Sequence, residues 1–235
     1  MNPILPPLRS DLSAHADPIW KAGAERYFKE PVKFYGMSNS IARKIGRDHF
    51  RQLKGCTKEE ILSLCGELME TGLMEETVIA CDWSNRLHRQ FEPADFAIFE
   101  QWISQYVNNW AACDTLCNHT VAECVMKYPE FLADLKRFTQ SGNRWMRRAA
   151  AVTLIIPAAR GMFLNDIFEI ATLLLHDSDD LVQKGYGWML KAAAESHRQE
   201  VFGFVMRNKA SMPRTALRYA IEKMPAELKA EAMRK

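Results

Sequence analysis

Along most of this chain, apolar residues recur at the three- and four-residue intervals of an amphipathic helix. Thr57-Lys-Glu-Glu60 has the form of a capping box. The stretch after it places Ile61, Leu64, Cys65, Leu68 and Met69 on one face and stops near Gly72. Residues 92–107 repeat the pattern with Phe96, Phe99, Ile103 and Tyr106. Further helical segments are predicted at about 109–127, 129–139, 143–156, 166–176, 179–196, 200–208 and 213–223. The breaks are short: Tyr128-Pro129, Ser141-Gly142, Arg160-Gly161 and Met212-Pro213. No stretch alternates with period two between hairpin turns, so the prediction is an all-α chain.

Three of these helices share a feature. The stretches Asn109-Trp-Ala-Ala-Cys-Asp114, Arg144-Trp-Met-Arg-Arg-Ala-Ala150 and Lys184-Gly-Tyr-Gly-Trp-Met-Leu190 are rich in small residues. Their central positions Ala112, Ala150 and Gly187 lie 38 and then 37 residues apart. A shorter, more acidic or aromatic helix precedes each. Helix pairs repeating at that interval fit HEAT- or armadillo-like stacking, in which small residues let the second helix of a pair approach its neighbours closely. The expected architecture is an α-α superhelix, a solenoid of HEAT-like helical repeats with a concave basic face. It is read as a single domain over 1–235, with capping helices over about 1–55 and repeat pairs over about 56–235.

Composition narrows the class. The 235 residues are 48% hydrophobic and 26% charged, which excludes a disordered chain, a collagen and a disulfide-dense miniprotein. The longest apolar runs, such as 149–159, fall short of the roughly 18 residues a membrane span needs. The N-terminal stretch shows no basic start followed by an apolar run, so a cytoplasmic protein is expected, nucleoid-associated in a bacterium. The six cysteines are then read as reduced core thiols. Cys113, Cys117, His119 and Cys124 raise a metal question. They lack a C-x-x-C pair, and the three cysteines lie along one helical stripe, so neither metal nor cofactor is expected.

The net charge of +2 divides unevenly. Residues 1–140 hold 16 basic and 19 acidic side chains, and residues 141–235 hold 15 and 10. An anionic partner belongs with the second part. Polar and aromatic residues on the small-residue helices fall at shared faces: Trp110 with Asp114, Arg144 with Arg148, and Lys184 with Trp188 and Lys191. Each pairing has an ordinary reading as packing, a structural salt bridge or surface charge. Their joint placement on successive repeats is what points to a ligand.

In these residues the chain resembles the bacterial DNA alkylation repair glycosylases of the AlkD type, which are built from HEAT-like repeats. The resemblance runs from Ala24-Glu-Arg-Tyr-Phe28 through Trp-x-x-x-Asp at 110–114 and Arg-Ala-Ala at 148–150 to Gly-Trp-x-Leu at 187–190. It implies excision of cationic N3- and N7-alkylated purines from duplex DNA by hydrolysis of the N-glycosidic bond. It also implies solitary action as a monomer. By the resemblance, Asp114 is the catalytic carboxylate, and Trp110 and Trp188 are the aromatic pair against the lesion's deoxyribose and backbone. Arg148 is a basic contact and Tyr27 an aromatic from the N-terminal helices. Lys191 stands where the family usually has Arg, which keeps the charge and loses a forked grip on phosphate. Ser38, in Met37-Ser38-Asn39, is shorter than the polar side chain of relatives. Arg144 and Lys184 complete the expected DNA contacts.

The residue types suit that chemistry. A cationic purine leaves as a neutral base, so no general acid is required and one carboxylate suffices. That carboxylate stabilises the oxocarbenium character of the sugar and positions or deprotonates water. Indole faces favour a cationic sugar over a neutral one. The alternative is a non-catalytic HEAT-like scaffold that binds a protein, or structured or damaged nucleic acid. No Gly-rich phosphate loop, His-Glu-x-x-His or Gly-x-Ser-x-Gly motif supports another reaction.

Overall fold

A computed structural model describes residues 3–234. Among these the chain is all-α, with no strand; the one extended pairing is an isolated bridge between Lys33 and Leu73. The helices divide into two compact units that meet in sequence between Leu116 and Cys117.

The first unit contains α1 (Leu5–Ala14), α2 (Pro18–Glu25), α3 (Asn39–Phe50), α4 (Lys58–Glu70), α5 (Met74–Arg86), α6 (Asp95–Gln105) and α7 (Trp110–Leu116). Helix α5 is its axis, packed against α3, α4 and α7. It buries Val78, Ile79, Cys81 and Trp83, and with them the acidic pair Glu75 and Glu76. Leu5, Leu8 and Leu12 are spaced to share one face of α1 and are fully buried, each contributing about 1.5–3 kcal/mol. The capping box at α4 is formed as the sequence predicts. Thr57 Oγ1 accepts from the Glu60 amide at 3.2 Å, and Glu60 Oε2 accepts from the Thr57 amide at 2.8 Å. Helix α2 is the exception in this unit: Asp17 and Pro18 start it well, yet none of its residues is buried.

The second unit opens with a π-helical turn (Cys117–Val121) that leads into α8 (Ala122–Lys127). Then come α9 (Leu132–Phe138), α10 (Arg144–Val152), α11 (Ile155–Ala159), α12 (Leu164–Leu173), α13 (Asp180–Ala193), α14 (Arg198–Asn208), α15 (Arg214–Ile221) and α16 (Ala226–Met233). Helix α13 is the axis here, packed against α10, α11, α12 and α15. Gly187 explains the closeness of α13 and α15. A Cβ there would lie 2.7 Å from Tyr219 Cβ and 2.8 Å from the Ala216 carbonyl oxygen. Ala150 is likewise fully buried, in line with the small-residue positions expected from sequence.

Two predicted helices are interrupted. The segment at 109–127 contains the π turn, and that at 143–156 divides into α10 and α11. Pro157 accounts for the second break: it has no amide to give the Thr153 carbonyl, and its ring would crowd that group. Cys113, Cys117 and Cys124 are buried, and no cluster of three or more His, Cys, Asp or Glu among the described residues is placed to hold a metal ion. None of the described helices is long and apolar enough to cross a membrane.

Candidate functional site

Several elements of the first unit bring their aromatic residues to one place. Trp20 and Ala24 come from α2, Tyr27 and Phe28 from the residues just after it, and Phe34 from the following loop. Met74 is the first residue of α5, and Trp110 with Ala111 begins α7. Together they line an open, mainly apolar cavity of about 670 Å³. Phe28 stacks on the Trp110 indole with centroids 5.4 Å apart and planes 19° apart, and is tilted against Phe34 at 5.8 Å. Trp20 stands edge-on to Phe34 at 6.2 Å. Tyr27 is 80% exposed at the rim. Asp114 is half-buried one helical turn beyond Trp110, on the same face of α7.

Buried carboxylates hold the loop that carries Phe34. Glu75, 1% exposed, accepts from the amides of Tyr35 at 3.0 Å, Gly36 at 2.9 Å and Met37 at 3.2 Å. Glu76, fully buried, accepts from the Tyr35 hydroxyl at 2.7 Å and from Arg9 Nε at 3.1 Å. Burial and the bond to Glu76 push the Tyr35 hydroxyl well above its ordinary pKa, so it remains a donor at all physiological pH. The Arg9 guanidinium is held more firmly protonated by the same carboxylate. Gly36 has φ 114°, and a Cβ there would lie 2.5 Å from the Asp17 carbonyl, so a residue with a side chain would push α2 away from the loop. The Asp17 amide donates to the Gly36 carbonyl at 2.7 Å, closing the turn.

The second unit holds the remaining expected residues, and the cations there are engaged. Arg144 Nη2 donates to Asp179 Oδ1 at 2.9 Å, and its Nε lies 2.7 Å from Asp179 Oδ2. The same Asp179 caps α13 through the Leu181 amide at 2.9 Å. Lys184 Nζ is 3.1 Å from Asp180, and Lys191 Nζ is 3.0 Å from Glu222 and 5.6 Å from the Tyr219 ring centre. Arg147, outside the expected contacts, donates to Asp177 Oδ2 at 2.6 Å. Trp188 is half-buried on α13.

Arg148 departs from the shared solvent face expected for it and Arg144. It is 5% exposed, and its Nη1 donates to the Leu181 carbonyl. It packs against Gly185 of α13, where a Cβ would lie at ordinary contact distance, 3.5 Å, from Arg148 Cγ. Trp110, Asp114 and Tyr27 therefore stand in the first unit, and Arg144, Arg148, Lys184, Trp188 and Lys191 in the second. Trp20, Phe28, Phe34 and Met74 were not foreseen; the ring density at Tyr27-Phe28 and Phe34-Tyr35 was the available signal.

Comparison with known proteins bears on what this arrangement serves. The profile of the DNA alkylation repair enzyme family matches residues 8–224, nearly the whole chain. The chain belongs to the DNA alkylation repair enzyme family. Membership assigns it a role in alkylation repair and DNA as substrate. Among solved structures it is similar to one described as a predicted DNA alkylation repair enzyme from Enterococcus faecalis. The TM-score is 0.80 at 16% identity, over 90% of this chain and 97% of that one. At that identity the likeness carries the fold, which this member of the family shares. No curated protein matches the sequence significantly.

Proposed function

We propose that this member of the repair family is a DNA glycosylase that hydrolyses the N-glycosidic bond of cationic N3- and N7-alkylated purines in duplex DNA. The reading rests on one placement: a half-buried carboxylate, Asp114, one turn from Trp110, in a chain of the alkylation repair family. The Phe28 ring braces that indole.

Asp114 stabilises positive charge as it moves into the sugar and orients the attacking water. Because the lesion base departs neutral, no second acid is needed. Trp110 favours the cationic sugar through the negative face of its ring, and Trp188 is the second indole of the set. Tyr27 meets the DNA at the rim of the first unit. Arg144, Lys184 and Lys191 contribute on the second unit, where phosphate competes with the carboxylates now paired to them, while buried Arg148 supports that surface through the Leu181 carbonyl.

The test is release of free 7-methylguanine and 3-methyladenine from methylated duplex DNA, followed by chromatography and mass spectrometry. The protein should release base, and Asp114→Asn should bind DNA normally while losing at least about 100-fold in rate. Release at the wild-type rate by the variant removes the role given to Asp114. The alternative that the same sequence features allow is a nucleic-acid-binding relative that does not cut. DNA binding without base release by the wild type would establish it.

A further inference from the structure

We propose that the groove between α4 and α6 is a docking site for an extended, basic peptide segment of a protein partner. The groove shares no lining residue with the aromatic cavity, and docking there does not depend on base release.

The groove holds about 390 Å³, within the roughly 300–1,000 Å³ of ligand sites, and Leu62 and Ile98 give it apolar walls. Trp102 lines it and is 3% exposed, and its indole N–H has no acceptor among the described residues. A buried indole N–H normally finds a partner, so this donor is set for an acceptor that arrives from outside. A backbone carbonyl of a bound chain supplies one. Gly66, in the interior of α4, leaves the donor uncovered. A Cβ there would stand 3.5 Å from Trp102 Nε1, at ordinary contact distance, and the backbone is not left-handed at this position. A glycine weakens a helix interior relative to alanine. The helix therefore does not require this glycine, whereas the opening over the indole does.

Charge selects the occupant. Glu59, Glu67 and Glu70 border the groove and are exposed, and no lysine or arginine among the described residues lines it. Lys58 lies 3.6 Å from Glu59 but is engaged with Glu92 and Asp95. Glu67 and Glu70 form no ion pair among the described residues. Phosphate is repelled from such a rim, so this face is unsuited to DNA. A strand that carries lysine or arginine beside apolar side chains matches both the rim and the walls. Extended chain turns alternate side chains to opposite sides. Apolar ones can then meet Leu62 and Ile98, while long cationic ones reach back to the carboxylates.

The probe is a fluorescein-labelled peptide of alternating Arg and Val, titrated by anisotropy against the whole protein. Gly66→Leu keeps every carboxylate and fills the opening. It should melt no lower than the wild type and bind the peptide at least about tenfold more weakly. The double variant Glu67→Gln, Glu70→Gln should also bind about tenfold more weakly, and wild-type affinity should fall as salt rises. In nitrogen-15-labelled protein the Trp102 indole N–H resonance should shift downfield as peptide is added. Saturating peptide should leave the affinity for paired duplex DNA unchanged. No peptide binding by the wild type, an indole resonance that stays in place, or binding that Gly66→Leu leaves untouched overturns the proposal. Displacement of the peptide by spermidine at about 1 mM would assign the groove to a small polycation. Wild-type self-association that Gly66→Leu abolishes would assign it to a second copy of the chain. Either result also overturns the proposal.

Discussion

Glu75 and Glu76 in the first unit and Asp177 and Asp179 in the second use the same functional group to opposite ends. In the first unit the carboxylates are fully buried and hold the loop that carries Phe34: Glu75 takes three backbone amides of that loop, and Glu76 takes the Tyr35 hydroxyl together with the Arg9 guanidinium. The rings beside that loop are then left facing a cavity. In the second unit the carboxylates hold guanidinium groups: Asp179 takes Arg144, and Asp177 takes Arg147. The rigid feature there is a set of cations already in partnership. The difference concerns readiness. The aromatic site stands open without rearrangement, whereas the cations meet phosphate only by exchanging carboxylate for it. Such an exchange gains little at high salt and more at low salt.

The contrast can be broken from its first side. Glu75→Ala leaves three backbone amides without their acceptor and should cost on the order of 3 kcal/mol, read as a lower midpoint in urea. The loop carrying Phe34 should loosen first, so hydrogen exchange at residues 33–37 should rise by more than exchange in α13. Uniform loss of protection across both units would show that the clamp is not local.

From the second side, Asp179→Asn keeps an N-cap of equal quality for α13 and removes the charge that holds Arg144. Affinity for undamaged duplex should rise roughly two- to tenfold at low salt, with a steeper salt slope. Unchanged affinity and slope would mean that Arg144 does not reach phosphate.

The smallest effect lies at Lys58, where the first unit contains an arrangement like that of the second. Its Nζ is 3.0 Å from both Glu92 and Asp95, and its side chain is 7% exposed. Burial lowers its pKa, but hydrogen bonds to Asp95 and Glu92 outweigh burial and leave it raised above the ordinary lysine value of 10.5. With the folded pKa above the unfolded one, this stabilisation is complete below about pH 10.5 and is lost as pH rises through the folded value. The stability difference between wild type and Lys58→Met should therefore be flat from about pH 6 to 10 and shrink beyond. A difference that grows with alkalinity would contradict the ion-pair account.

Much of the fold was legible because it depends on neighbours in sequence. The Thr57–Glu60 capping box and the apolar stripe of α4 are local patterns, and the structure forms them; Ala112, Ala150 and Gly187 are buried, as small residues read from the sequence should be. The pairing of Trp110 with Asp114 on one face needs only helix geometry. Other features had no local signal. Glu75 and Glu76 look like ordinary acidic residues of a first helical turn, yet their partners lie about 40 residues earlier. Arg148 looks like a surface cation, and only the packing of α10 against α13, with the Leu181 carbonyl as acceptor, buries it.

The sequence by itself determined that the chain is helical, where most helices start and stop, and which positions must be small. Capping, periodicity and side-chain volume act over a few residues and can be read in order. Tertiary structure alone decided which rings share a cavity and which cations carry a partner. Those outcomes depend on distances between segments far apart in the chain, and a buried charge goes wherever the fold supplies its counterpart.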